Sequence, residues 1–487
     1  MTLNYKAIFK IFGTIFLILG IAMIPSLLIS LRLHEKATVS AFIITIIPLI
    51  IIGILMIRFI RPENTVIKTR DGIFIVGFAW FLASAISAVP LVLSGAIPSF
   101  PDAIFETASG YTTTGASILT NIEALSKGAL FWRSSTQWLG GMGILMFTIA
   151  LLPALGINGQ HIADAETTGP TKGKLTARMS DSAKILYQIY IGITLLMVIM
   201  LCLGGMSLYD AVLHTFGAVS TSGFSSYNTS IAHFDSFYIE MVIAIFMAVC
   251  GINFNLFYQI IRAKLREVGR DSELRFYLAS MGVAVLLITV FLRITNVYGS
   301  LLESFRYSFF QVSSIMTTTG FATTDFALWP SFCILILILL MFFGGCSSST
   351  AGAIKCVRIF VMFKLIRQNI YSKLHPRAVT TINLNGKSLS PDIVAGISGF
   401  IALYIAMIVM GVCVLTVQGI DLMTAFTACA ATLGNVGPGF GLVGPVLNYS
   451  FFNSGTTLFL AVYMIMGRLE IYTVLLLFTR AFWRPER

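Results

Sequence analysis

A chain of 487 residues with 57% hydrophobic and only 11% charged residues, and a mean hydropathy of +0.89, is excluded from the water-soluble globular class, where charge averages about 25%. The net charge of +11 raises nucleic-acid binding, but the basic residues sit in short polar joints between apolar runs, so no nucleic-acid partner is expected. The runs recur at about 20 residues, the length a helix needs to cross a hydrocarbon core of about 30 Å. The chain therefore reads as an all-α polytopic membrane protein in contact with the lipid bilayer. Its seven cysteines show no Cys-x-x-Cys spacing, which argues against a disulfide scaffold or a zinc site.

Met1 to Lys10 is short and basic, and the apolar run behind it lacks a small-residue cleavage site. It reads as a first membrane helix, not a removable signal. Segments 11–31 and 39–60 form a transmembrane hairpin, unit 1–70, across the joint Arg32 to Lys36. A three-part phrase follows in 71–153: helix 72–94, short amphipathic segment 101–112, and helix 129–152, with a polar loop before the last. It returns in 154–266 behind a cytoplasmic loop, as 184–205, 208–220 and 236–263. It returns in 267–388 as 275–296, 301–317 and a long interrupted helix from 330, and in 389–487 as 391–417, 421–433 and 455–482. Self-similarity on this scale is read before any single motif. The expected fold is two N-terminal transmembrane helices followed by four helix–pore helix/loop–helix repeats around a central pseudo-four-fold ion pathway.

The four polar loops are Thr113-Thr114-Gly115, Thr221-Ser222-Gly223, Thr318-Thr319-Gly320 and Asn435-Val436-Gly437. Twelve positions before the glycines stand Ala103, Ala211, Ser308 and Ala425, and six before stand Ser109, Gly217, Ser314 and Ala431. Small residues at both places suit short helices packed closely inside a bundle. Nine before stand Glu106, His214, Gln311 and Ala428, polar in all but the last; His214 and Gln311 read as braces for their short helices. Non-helical backbone at membrane depth is tolerated only where it is buried in protein or lines a water-filled path. A ring of backbone carbonyls that replaces the hydration shell of an alkali cation would use four such loops. Glycine permits the backbone conformations this needs. The short helices, ending near the midplane, would add their negative C-terminal ends.

Orientation follows from Lys and Arg in the connections. Lys355, Arg358, Lys364, Arg367, Lys373, Arg377 and Lys387 fall in an acid-free stretch, and Arg262, Lys264, Arg266, Arg270 and Arg275 in the loop near 262–275. The joint at 58–70 and the tail Arg480, Arg484 and Arg487 agree. With ten membrane crossings, these fall on one side, both termini are cytoplasmic and the four loops enter from outside. Asp102, Glu106, Glu123, Asp210, Asp235, Glu240, Glu303, Asp325 and Asp421 lie on the other side. They read either as a cation-concentrating mouth or as solvated acids with no further role.

The phrases Gly-Tyr-Thr-Thr-Thr-Gly-Ala-Ser at 110–117, Asn-Val-Gly-Pro-Gly at 435–439 and Gly-Arg-Leu-Glu at 467–470, with the two leading helices and the four-fold plan, resemble the Trk/Ktr/HKT superfamily of potassium transporters over essentially the whole chain. The resemblance implies potassium uptake as the transported ion K+, a filter built from the twelve loop residues, a homodimer, and a cytosolic TrkA-like nucleotide-binding regulatory ring. No organic cofactor is expected on this chain, and the location implied is a bacterial inner membrane. In related plant transporters a serine in place of the first glycine accompanies sodium transport, so Gly115 favours potassium.

Below the loops, the run Gly344, Gly345, Cys346, Ser347, Ser348, Ser349, Thr350, Ala351, Gly352 is too polar and glycine-rich to continue a lipid-facing helix. It reads as an irregular loop beneath the filter or as a kinked helix packed on small residues; the resemblance places a gating loop at Gly345 to Gly352. Arg468 falls midway along the expected helix 455–482. A buried arginine costs about 2.5–3.5 kcal/mol unless it faces water or a partner, and Glu470, two residues on, does not share its face. The resemblance assigns Arg468 to the pathway below the filter as the second part of the gate. Lys355 is read as marking the cytoplasmic boundary or as a further contributor to the gate, Gly140 to Gly143 as helix packing, and the loop 153–183 as a docking surface or linker.

A proton- or sodium-coupled carrier is the alternative. It predicts buried carboxylates in helices and inverted repeats, whereas the four copies run in one orientation. An enzyme is not expected, because five scattered histidines and few acids at mid-membrane supply no catalytic cluster.

Overall fold

The computed structural model describes residues 3–62, 67–143, 179–378 and 380–484. The polypeptide is helical almost throughout. Helices α1 (Tyr5–Arg32) and α2 (Lys36–Phe59) form the leading hairpin. Repeat 1 contains α3 (Thr69–Leu93), α4 (Phe100–Tyr111) and α5 (Lys127–Gly141). Repeat 2 contains α6 (Met179–Leu203), α7 (Leu208–Ser220), α8 (Phe237–Cys250) and α9 (Phe254–Ile261). After the short α10 (Leu265–Arg270), repeat 3 contains α11 (Ser272–Ile294), α12 (Leu301–Met316), α13 (Ser331–Leu340) and α14 (Cys356–Leu374). A small hairpin, β1 (Asn383–Leu384) with β2 (Lys387–Ser388), pairs Asn383 with Ser388. Repeat 4 contains α15 (Pro391–Val417), α16 (Leu422–Leu433), α17 (Ser454–Arg468) and α18 (Tyr472–Leu477), followed by α19 (Arg480–Trp483).

Among the described residues six helices are long and apolar enough to cross a membrane unbroken. They are the two leading helices and the first helix of each repeat. Their outer faces carry exposed apolar side chains, such as Ile44 and Ile47 on α2 and Leu286 on α11, the surface a bilayer covers.

The pore helices α4, α7, α12 and α16 start where the sequence supplies a local stop to the preceding chain. Ser207, Ser300 and Asp421 accept a hydrogen bond from the backbone N–H three residues on, which satisfies one of the unpaired donors of a helix start. In α4 proline takes the first turn, where its missing N–H costs nothing. Ala103, Ala211, Ser308, Ala425, Ser109, Ser314 and Ala431 are fully buried. A Cβ on Gly217 would stand 2.7 Å from the Ser222 carbonyl oxygen, so the small residues are there to let backbones meet.

The second helices depart from expectation. A break was expected in repeat 3 alone, yet α8 and α9 meet at 95° across residues 251–253, and the expected continuous helix 236–263 does not form. The expected helix 455–482 also fails: α17 ends at Arg468, and Glu470 and Ile471 take φ +56° and +59° before α18. Arg468 is thus the last residue of a helix, not a mid-helix residue. Helix α5 ends at Gly141; its expected extension over 144–152, the loop as far as residue 178, and Arg487 lie outside the described residues. The break in repeat 4 is closed locally, Ile471 N donating to Met466 O at 2.7 Å, whereas in repeat 2 the loop of repeat 3 satisfies the freed backbone. Gly251 O accepts from Cys346 N at 2.8 Å, and Cys250 O from Thr350 Oγ1 at 3.3 Å.

Candidate ion pathway

The four loop glycines converge. Gly115, Gly223, Gly320 and Gly437 all line one cavity of about 190 Å³. A Cβ added to Gly115 would stand 2.5 Å from Gly223 N, and one on Gly223 2.6 Å from Thr319 O. One on Gly320 would strike Val436 O, and one on Gly437 would stand 2.5 Å from Thr114 O. Each loop meets the next in chain order and the fourth meets the first, so the ring closes with no room for a side chain at these positions.

The backbone explains the residue choice. Thr113 and Gly115 take φ +56° and +81°, Thr318 and Gly320 +58° and +86°, and Asn435 and Gly437 +54° and +95°. The residue between each pair keeps a negative φ. Extended backbone points successive carbonyls to opposite sides; alternating the sign of φ lets neighbours face one side, and glycine adopts the left-handed half without strain. The β-branched threonines do not, at about 1–3 kcal/mol each, whereas Asn435 tolerates the conformation. The second loop differs: Thr221 has φ +57° but Gly223 is not left-handed.

Most loop hydroxyls brace the backbone. Thr114 Oγ1 is 2.7 Å from Thr112 Oγ1, Thr319 Oγ1 is 2.7 Å from Thr317 Oγ1, and Thr221 Oγ1 donates to Ser220 O. Asn435 Nδ2 donates to Thr114 Oγ1 at 3.0 Å and to Met464 O at 2.9 Å, which stitches loop four to loop one and to α17. Thr113 Oγ1 and Ser222 Oγ are buried without a protein partner; Val436 is fully buried.

The residues nine before the glycines hold the outgoing limbs. His214 Nε2 lies 2.9 Å from Ser225 Oγ, and Gln311 Nε2 donates to Thr323 Oγ1 at 3.1 Å. Glu106 accepts from Ser117 Oγ at 3.0 Å and Ile118 N at 2.8 Å. In repeat 4, where alanine stands at that place, Thr427 exchanges hydrogen bonds with Phe440 at 3.0 Å. Two acids assigned to the outer mouth are consumed internally: Glu106 pairs with Arg133, and Glu240 forms a two-pronged pair with Arg306 at 2.7 Å. Both carboxylates are buried.

Below the ring the sequence-predicted gate residues form one loop between α13 and α14. Gly345 O accepts from Cys356 N, and Cys346 N donates to Gly251 O. Ser347 donates through N and Oγ to the two oxygens of Glu273, each at 2.6 Å. Ser348 O accepts from Phe254 N at 3.1 Å, and Ser349 Oγ donates to Cys346 O at 2.6 Å. Thr350 O accepts from Arg468 Nη1 at 2.6 Å, and Ala351 O accepts from Lys355 Nζ at 2.5 Å. Gly352 N donates to Thr318 Oγ1 at 2.7 Å, a direct link from this floor to the ring. Arg468 Nη2 also reaches Gly140 O and Gly141 O, each at 2.8 Å, so one guanidinium ties the negative end of α5 to the loop. Glu470 pairs with Arg358 at 2.6 Å.

Lys355 is 2% exposed and folded onto the loop, the place its alternative reading as a contributor to the gate requires. Gly140 and Gly141 serve more than packing, since their carbonyls hold Arg468. Sequence reasoning missed Glu273. An acid beside the cap Asp271 in a first helical turn looks like any helix start, and only the fold sets it against Ser347.

A model of the family TrkH, described as a cation transport protein, matches residues 38–484. The chain belongs to the TrkH family of cation transport proteins. It is 35% identical over 485 residues to the Trk system potassium uptake protein TrkH of Escherichia coli K12, covering 99% of this chain and 100% of that one. It is 32% identical over 487 residues to TrkI of Halomonas elongata, covering 99% and 97%. The crystal structure of the potassium transporter TrkH from Vibrio parahaemolyticus superposes with a TM-score of 0.88 at 33% identity, covering 99% and 100%. Membership of a transport family bears out both the multi-pass membrane architecture and the expectation that the chain is not an enzyme.

Proposed function

We propose that this protein takes up potassium across the bacterial inner membrane through a gated, channel-like pathway driven by the membrane potential. The observation that carries the reading is the closed ring of Gly115, Gly223, Gly320 and Gly437 around one cavity, with left-handed φ at three of the four glycines. Thr113 to Gly115, Thr221 to Gly223, Thr318 to Gly320 and Asn435 to Gly437 form the selectivity filter, in which carbonyl oxygens replace the ion's hydration shell. The names of the relatives as potassium uptake proteins support the choice of ion. A membrane potential supplies about 2.3 kcal/mol per charge per 100 mV, sufficient for uptake without ATP at the pore.

The gate in this reading is Gly345 to Gly352 with Arg468. The loop crosses under the filter, and Arg468 sets a fixed positive charge beside it. Both parts hang on hydrogen bonds to backbone carbonyls, which a change in α14 or α17 would break. The cytosolic partner in this reading is a nucleotide-binding ring acting on a homodimer with both termini cytoplasmic, in keeping with the basic stretch at 355–387. The five units 1–70, 71–153, 154–266, 267–388 and 389–487 are retained as its divisions.

The test is flux of potassium, rubidium, sodium and lithium into proteoliposomes, repeated after Gly115→Ser. Potassium and rubidium should outpace the smaller ions, and the substitution should narrow that difference. Equal flux of all four ions, unchanged by the substitution, would remove the filter. Deleting 346–352 should raise flux; unchanged flux would remove the gate.

A further inference from the structure

Glu106 and Arg133 form an ion pair behind the ring that no requirement of the fold alone explains. Their side chains are 0% and 2% exposed, and Arg133 Nε meets Glu106 Oε1 at 2.6 Å. Glu106 sits on α4, nine residues before Gly115, and Arg133 on α5. Buried ion pairs often lose to well-packed apolar residues of similar volume, because desolvation offsets the Coulomb gain. The other three repeats do the same bracing with neutral groups: His214 with Ser225, Gln311 with Thr323, and Thr427 with Phe440.

What the pair adds is reach between repeats. Glu106 holds the outgoing limb of loop one through Ser117 Oγ and Ile118 N. Arg133 Nη1 donates to Ser225 O, on the outgoing limb of loop two, at 2.9 Å. The guanidinium also lies over the Phe224 ring, 3.6 Å from its centroid, which fixes its plane. Two of the other three junctions are joined directly through backbone: Ile231 N donates to Ala322 O between repeats 2 and 3, and Tyr449 N to Ser117 O between repeats 4 and 1; repeats 1 and 2 also meet farther out, where Ile122 N donates to Asn228 Oδ1 at 3.0 Å. Between repeats 1 and 2 the charged pair spans the limbs immediately beyond the glycines. It does so beside Gly223, the loop glycine that is not left-handed.

We infer that Glu106 and Arg133 are positioning residues that set the spacing of the first and second filter limbs, and so the discrimination of potassium from sodium. The inference rests on the filter reading above. A guanidinium can do this because its planar fork offers separate nitrogens to Glu106 and Ser225; a lysine ammonium is a single point and holds one of them. Neither residue is asked to touch the ion.

The experiment measures radiolabelled rubidium and sodium uptake by the full chain in liposomes, for wild type, Glu106→Gln and Arg133→Lys, with assembled protein quantified by size exclusion. Arg133→Lys keeps the charge opposite Glu106, so it still assembles where Glu106→Gln fails. The rubidium-to-sodium ratio should fall about tenfold in either assembled variant, equivalent to about 1.4 kcal/mol of differential stabilisation, with total cation flux retained. A wild-type ratio in assembled Arg133→Lys overturns the inference, and so does less assembled protein at an unchanged ratio, the signature of a purely structural pair. A wild-type protein that does not discriminate the two ions removes the filter reading itself. A selective wild type with unchanged variants removes only the role of the pair.

Discussion

In the ring, the same event happens four times: a glycine presses against the backbone of the next loop, and three of the four glycines are left-handed. In the floor beneath, each contact among the described residues is made once. Only repeat 3 supplies the loop 345–352, only repeat 4 supplies Arg468, and only α11 supplies Glu273 against Ser347. The comparison teaches that one repeat serves two purposes. Four similar backbones suit a spherical ion, which needs oxygens on all sides, although the second departs from the other three in backbone conformation. A device that opens needs a few unequal contacts that one movement can break. The two layers touch where Gly352 N meets Thr318 Oγ1 and where Gly352 packs under Asn435.

Gly437→Ala attacks the ring and should have the largest effect. Alanine at φ +95° carries about 1–2 kcal/mol of backbone strain before its 2.5 Å contact with Thr114 O is relieved. Rubidium uptake should fall by well over about tenfold; undiminished selective uptake would show that the ring does not need to close. Arg468→Ala attacks the floor and should act in the opposite direction. It frees three carbonyls, and flux without any regulatory partner should rise about tenfold, or about 1.4 kcal/mol. A fall in flux would make Arg468 a part of the path's structure instead of a barrier.

Glu273→Ala should raise flux less, by about fivefold, because it removes one anchor of several at about 1 kcal/mol. If selectivity moved as well, ring and floor would be more tightly joined than the single Gly352–Thr318 bond implies. The smallest effect belongs to the start of α16. Hydrogen bonds from the Thr424 hydroxyl and backbone hold the Asp421 carboxyl below the usual carboxylate range. Asp421→Ala should cost about 1 kcal/mol of stability as a lost cap, read as a lower melting temperature with unchanged selectivity. Because the folded state lowers this pKa, the cap contributes fully above the unfolded value near 3.9 and is lost as pH falls through the folded value. The variant and the parent should therefore converge in strong acid.

Much of this was readable without coordinates. The six unbroken helices followed from apolar length, the four loops from a recurring glycine, and the small residues of the pore helices from their matched spacing. The broken second helices were legible only in repeat 3, where nine polar or small residues stand together at 344–352. In repeats 2 and 4 the breaks fall at Gly251 and after Arg468, inside sequence apolar enough to read as continuous helix. The direction of Lys355 was not legible for a related reason: it lies next to a basic stretch, yet its ammonium turns inward to Ala351 O.

Sequence by itself determined the membrane class, the repeated plan and the four loop glycines, because hydropathy, helix length and turn-permitting residues are local properties; that Gly223 alone is not left-handed came from the fold. Which helices break, which acid anchors the floor and which carbonyls Arg468 holds were decided by tertiary structure. A freed backbone group or a buried charge is stable only when another element brings its partner, and that partner lies far away in the chain: Glu273 is drawn to Ser347 within repeat 3, and Arg468 of repeat 4 to Gly140 of repeat 1.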